Sequence, residues 1–160
     1  MIQNGQSPSI LIVDDEEMVL TSIKAFLQLE TNFKVYGFND PEEASRFAQD
    51  QPVDVVVSDY LMPKMNGIEL LGRMKELQPE TSRVLLTGHA DKQSAIQAIN
   101  QVMLFQYLEK PWENSQLLLV VRAGAERAQL FRELRGKVEA LDNANSQIKT
   151  VQRRLLEAFL

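Results

Sequence analysis

Residues 53–67, VDVVVSDYLMPKMNG, decide how this chain folds. A valine-rich run of that length, closed by Ser58-Asp59 and then by Pro63 and Gly67, describes a strand of a parallel sheet covered on both faces. Open α/β sheets place their sites just beyond the carboxyl ends of such strands. The stretch therefore delivers one carboxylate, Asp59, to the loop where chemistry is expected.

On the amino-terminal side, Ser9 to Val13 (SILIV) forms a first strand that runs into Asp14-Asp15-Glu16-Glu17. Met18 to Leu29 carries Val19, Leu20, Ile23, Phe26 and Leu27 at helical spacing. Phe33 to Phe38 is a second strand. Asp40-Pro41 then opens a helix to about Gln49, with Asp40 as cap, Pro41 at the first helical position and Glu43 placed to complete a capping box.

On the carboxyl-terminal side, Asn66 to Leu77 is a helix expected to bury Ile68, Leu71, Met74 and Leu77. Arg83 to Thr87 is a fourth strand, and Gly88 to Asp91 a loop. Lys92 to about Asn100 is a helix with Ile96 and Ile99 expected inward, and Phe105 to Glu109 is a fifth strand. Lys110-Pro111 follows, and a last helix starts near Asn114-Ser115. Five alternations of strand and helix predict an α/β fold: a doubly wound, five-stranded parallel sheet with strand order 2-1-3-4-5.

Composition narrows the function classes. The chain has 160 residues, 44% hydrophobic and 24% charged, which suffices for one domain with a core and an appendage. With no cysteine, neither a disulfide framework nor a thiolate metal site is available. The opening MIQNGQSPSI lacks the pattern of a signal peptide, and no apolar run approaches the ~18 residues of a membrane span. A cytoplasmic protein without membrane contact is the expectation. The net charge of −5 divides into −7 over residues 1–112 and +2 over 113–160. That mixed tail reads as a solvated helix face, with no direct nucleic-acid binding expected from it.

The last helix has no proline from Ser115 to Leu160. A continuous helix of about 45 residues would span roughly 70 Å, too long to flank a small domain. Leu134, Leu141, Ile148 and Leu155 recur every seven residues. With these at position a, position d holds Leu130, Lys137, Ala144, Val151 and Ala158, apolar apart from Lys137. The pattern predicts a globular domain over residues 1–125 and a coiled-coil extension over 126–160 that dimerises. The competing expectation is a helix that folds back on its own domain.

In the order 2-1-3-4-5, the first strand lies beside the third, so Asp14 and Asp15 adjoin Asp59. The fourth and fifth strands bring Thr87 and Lys110 to the same edge. Three carboxylates so close raise one another's pKa unless a cation joins them. Oxygen ligands without His or Cys favour Mg²⁺ or another hard divalent ion. Cation and Lys110 ammonium together can neutralise a phosphoryl group moving onto Asp59, and the Thr87 hydroxyl can donate to it afterwards.

These residues form four motifs: DD at 14–15, D-x-x-M-P-x-x-x-G at 59–67, T-G at 87–88 and Y-x-x-K-P at 107–111. In this order and spacing the chain resembles the receiver domains of two-component response regulators over about residues 7–125. The resemblance implies Asp59 as phosphoacceptor, supplied by a sensor histidine kinase or phosphotransfer protein. It implies Mg²⁺ on Asp15 and Asp59, on Asp14 mostly through water, and on the backbone carbonyl of Leu61. It implies Lys110 beside the phosphoryl group with a cis bond to Pro111, and Thr87 with Tyr107 as the switch pair. Met62 and Pro63 shape the loop. Gly88 stands where alanine is frequent, and His89 at a variable position is read as an exposed loop residue.

Two other classes compete. A dehalogenase-like phosphatase needs a second Asp two residues beyond its nucleophile, where this chain has Leu61. A degenerate scaffold would have lost Asp59, Asp15 or Lys110, and all are present. A signalling receiver, not an enzyme in the ordinary sense, is the expectation. TGHAD and LEKPW resemble receivers that serve a cyclic-di-nucleotide phosphodiesterase or ATPase output. A chain ending at Leu160 inside a heptad pattern is expected to be the front of a longer regulator.

Overall fold

The computed structural model describes residues 6–159. Two compact units divide the chain, residues 1–129 and residues 130–160. In the first, β1 (Ser9–Val13), β2 (Lys34–Phe38), β3 (Val55–Asp59), β4 (Ser82–Thr87) and β5 (Gln106–Glu109) form one parallel sheet of order β2-β1-β3-β4-β5. The helices are α1 (Glu17–Glu30), α2 (Pro41–Asp50), α3 (Gly67–Leu77), α4 (Lys92–Val102) and α5 (Asn114–Phe159), and a 3₁₀ turn covers His89–Asp91. The doubly wound fold expected from the alternation is the one observed.

All five residues of β3 and all six of β4 are buried, because helices cover both faces of the sheet. On one face Ile10, Ile12, Val55, Val57 and Val84 pack with Leu117 and Val121 of α5 and with α1. On the other Leu11, Val13, Val56 and Leu85 pack with Leu70, Leu71 and Met74 of α3. Successive strand residues alternate between these two cores, and each fully buried Val, Leu or Ile contributes about 1.5–3 kcal/mol relative to exposure.

Local signals set the helix starts. The Asp40 side chain accepts from Glu42 N at 3.0 Å, and Pro41 occupies the first turn of α2. The reciprocal capping-box bond expected from Asp40 N to the Glu43 carboxylate is not formed among the described residues; separately, the Asp40 carboxylate accepts from Lys64 Nζ at 3.3 Å. Asn66 caps α3 through Glu69 N at 2.9 Å.

Two helix faces differ from the sequence expectation. On α4 the buried residues are Ala95, Ala98 and Val102, while Ile96 and Ile99 are 42% and 36% exposed. Small residues let the helix lie close to its neighbours, and the larger isoleucines turn outward. On α3, Leu70 is buried with Leu71 and Met74, and Leu77, in the last turn, is 40% exposed. The Arg83 guanidinium on β4 is buried, and among the described residues no carboxylate pairs with it. It donates to the carbonyls of Val102 (2.8 Å), Thr81 (2.9 Å), Pro79 (3.2 Å) and Met103 (3.2 Å). It thereby satisfies the carboxyl end of α4, where Met103 takes a left-handed φ of 50°.

In the second unit, every described residue from Glu133 to Phe159 is helical and exposed, including Leu134, Leu141, Ile148 and Leu155. Among the described residues, no helix is long and apolar enough to cross a membrane.

Candidate phosphoacceptor and metal site

Three strand ends and one short loop build the site. Val13 closes β1 and hands the chain to Asp14 and Asp15; Asp59 closes β3 beside it. Carboxylate oxygens of Asp14, Asp15 and Asp59 all lie within 4.8 Å of one another. Asp14 is fully buried and Asp59 nearly so, while Asp15 is exposed. Lys110, just beyond β5, reaches back so that Nζ donates to Asp59 Oδ1 at 2.8 Å. Its own N–H bonds the carbonyl of Thr87 at 2.8 Å, and its peptide bond to Pro111 is cis. The separated segments named from the sequence are thus brought to one edge.

The electrostatics are those of excess negative charge. Burial, together with the charges of Asp59 and Asp15, pushes the Asp14 carboxyl up to about 6, against the lowering effect of its bond from Glu16 N. Burial also raises Asp59, outweighing the hydrogen bond and charge of Lys110. Burial pulls the Lys110 ammonium down, but its bond to Asp59 and the charges of Asp59 and Asp14 prevail, and its pKa is raised.

A divalent cation fits this donor set. Asp14 Oδ1 is taken by Glu16 N at 2.9 Å, but the buried Oδ2 has no hydrogen-bond partner among the described residues. A buried carboxylate oxygen in that condition is costly unless a cation or water satisfies it. Three carboxylates without nitrogen or sulfur ligands suit a hard ion such as Mg²⁺.

The remaining candidates sit around this pocket. Thr87 ends β4, one residue beyond Leu86, the partner of Asp59. It is fully buried, and its hydroxyl donates to Gly88 O at 3.2 Å. Tyr107 pairs with Leu85 on β5, half-buried against the α3-side core. Leu61 is 61% exposed and its side chain carries no ligand atom, so its backbone carbonyl is what it can offer the pocket, while Met62 is buried.

Two features were not read from the sequence. Gly67 opens α3 so close to β3 that a Cβ there would land on the Asp59 carbonyl oxygen and lie 2.9 Å from Leu85 Cδ1. The glycine therefore lets the helix seat the strand end that carries the acceptor; its place in the D-x-x-M-P-x-x-x-G motif was the available signal. His89, expected as an exposed loop residue, is exposed, but its Nδ1 lies 2.7 Å from Glu109 Oε1. Lys92 Nζ lies 3.6 Å from the other oxygen of Glu109. Hydrogen bonding from His89, then the charges of Lys92 and His89, hold Glu109 below the usual carboxylate range. Only the pairing of Thr87 with Glu109 across β4 and β5 brings these groups together.

Fold and pocket define a doubly wound α/β domain with a cation-binding acidic edge. The model of the response regulator receiver domain family matches residues 10–122, and the chain belongs to that family of phosphoacceptor signalling domains. It is 31% identical over 139 residues to the hydrogenase transcriptional regulatory protein HoxA of Cupriavidus necator, covering 87% of this chain and 28% of that protein. Among solved structures it resembles an adenylate cyclase from Rhodopirellula baltica, with TM-score 0.79 and 27% identity over 84% of this chain and 98% of that one. It also resembles the signal receiver domain of an HD domain-containing protein from Pseudomonas fluorescens, with TM-score 0.74 and 34% identity over 79% of this chain and 93% of that one. The chain spans under a third of the length of the first curated relatives it matches.

Proposed function

We propose that Asp59 accepts the phosphoryl group and that Asp14, Asp15, Asp59 and the carbonyl of Leu61 hold Mg²⁺. The carrying observation is the convergence of three carboxylates within 4.8 Å and of Lys110 at 2.8 Å from Asp59. A sensor histidine kinase or phosphotransfer protein is the donor. An Asp59 oxygen attacks phosphorus and the bond from phosphorus to the donor's nitrogen breaks. Lys110, already charged beside Asp59, stays to neutralise the arriving oxygens. A divalent cation held by Asp14, Asp15 and Asp59 would supply further screening of that group's negative charge.

Thr87 and Tyr107 form the switch. The Thr87 hydroxyl exchanges its bond to Gly88 O for a phosphoryl oxygen, and Tyr107 turns into the space it leaves. This biases an equilibrium between two packings. Residues 1–125 act as the receiver and 126–160 as a helical extension that pairs two copies. Support for the division comes from the family match, which stops at residue 122, and from the unit boundary after Gln129.

Incubation with acetyl phosphate and Mg²⁺ should add one phosphoryl mass to the chain, and Asp59→Asn should abolish it. Undiminished labelling of Asp59→Asn would sink the assignment. A second reading rests on the greater length of the relatives. In it, the receiver fronts a regulator whose output, a cyclic-di-nucleotide phosphodiesterase or an ATPase/DNA-binding domain, follows Leu160. The reading frame beyond that codon tests it.

A further inference from the structure

Leu134, Leu141, Ile148 and Leu155 make one column of the tail helix, each 54–63% exposed. A two-stranded seam needs a second column, and a seven-residue repeat admits two choices. The column one turn back is Leu130, Lys137, Ala144, Val151 and Ala158. The other is Phe131, Val138, Asn145, Gln152 and Phe159. Phe131, Val138 and Phe159 are 46%, 48% and 86% exposed.

We infer that the tail pairs with a second copy of this chain, parallel and in register, along the column that contains Val138, and that Lys137 lies outside the seam. This rests on the pairing reading above and specifies its interface.

Charge decides between the columns. With the first, Lys137 of each copy faces the other inside a dry seam, where two ammonium groups repel without a counterion. The second column carries no charge. It moves Lys137 to the flank, at position g, and Asp142 to position e. In a parallel pair, position g faces position e of the next repeat, so Lys137 meets the partner's Asp142 with opposite sign. Val151 and Leu156, 54% and 66% exposed, meet across the same flank. The first column yields no ionic pair at these positions.

Polarity decides the direction. Asn145 occupies position a in the second column. In a parallel pair in register its amide bonds the partner's Asn145. An antiparallel pair would set it against an apolar layer and leave it unsatisfied. Gln152, the next residue of the same column, makes a second polar layer that meets the partner's Gln152, and polar layers of this kind specify register at some cost in stability.

The chain has no cysteine, so single cysteines report the seam without background. In the full chain under mild oxidation, Val138→Cys should form the disulfide-linked dimer and Lys137→Cys should link at least tenfold more slowly. Efficient linking through Lys137→Cys and not Val138→Cys would overturn the register. Linking through neither position would overturn the parallel pair. Lys137→Asp or Asp142→Lys should each weaken dimerisation about three- to fivefold, and the double exchange should restore it. No restoration would remove the ionic pair. Circular dichroism verifies the helix in each variant. Acetyl phosphate labelling, run in parallel, separates failure of this interface from failure of the phosphoacceptor reading.

Discussion

The acidic pocket and the tail helix are opposite solutions to presenting a binding surface. The pocket gathers side chains from positions as distant as Asp14 and Lys110 and buries most of them. The tail takes its side chains from one local repeat and leaves them exposed. In the pocket the excess is negative charge, shown by the raised Asp14 carboxyl and its unpartnered Oδ2. In the tail the excess is apolar surface. A cation suits the first, and in the pairing proposed above a second helix answers the second. The comparison teaches that the pocket depends on the whole sheet, whereas the tail depends on seven-residue spacing.

The sharpest way to break that contrast is in the tail. Leu141→Asp combined with Ile148→Asp should weaken dimerisation more than about 100-fold, because two apolar layers per chain are lost and charges take their place. Acetyl phosphate labelling should stay unchanged. Sedimentation and intact mass read the two outcomes, and loss of labelling would mean that the pocket needs the paired tail.

Next in size is Gly67→Ala. The added methyl collides with backbone and with Leu85, and overpacking of this kind costs about 1–3 kcal/mol. Denaturant unfolding should show a lower midpoint, and labelling should slow because Asp59 shifts with its carbonyl. An unchanged midpoint would show that α3 does not constrain the strand end.

The pocket's charge makes a prediction with a definite sign. Asp14 is raised from 3.8 to about 6 in the folded chain, so between these values the folded state keeps a proton that the unfolded chain has released. Without a divalent ion, stability therefore falls as pH rises through that window, and the cost stays present above it. Asp59, raised by burial, acts in the same direction. Millimolar Mg²⁺ should raise Tm by roughly 3 °C or more at pH 7.5 and by less than about 1 °C at pH 5, where protons compete with it. Asp14→Asn should flatten the metal-free profile between pH 4 and 6. An equal Mg²⁺ effect at both pH values would contradict the charge-excess account.

The smallest effect belongs to Asp40→Ala, which removes the α2 cap held at 3.0 Å from Glu42 N and should cost about 1 kcal/mol by denaturant unfolding. Neither labelling nor dimerisation should change, which sets a baseline for the other substitutions.

Much of this was legible in the chain itself. Alternating apolar runs and helical spacing carried the doubly wound parallel fold, and the strand order followed from taking the common arrangement for five such strands. Asp14, Asp15, Asp59 and Lys110 could be assembled on paper once that order was assumed. The misread faces were those of α3 and α4, where Leu77, Ile96 and Ile99 look like core residues by hydropathy. Helical spacing marks a stripe but does not say which of two adjoining stripes faces the sheet when alanines such as Ala95 and Ala98 compete with isoleucines.

By itself, then, the amino-acid order determined the strands, the cap at Asp40, the acidic motif and the seven-residue repeat, since each is local in the chain. Only tertiary structure decided that Gly67 seats against the Asp59 carbonyl, that Arg83 satisfies the end of α4, and that His89 and Lys92 meet Glu109. Those contacts depend on how closely separate elements approach, a distance that packing of the two cores sets and that no local pattern encodes.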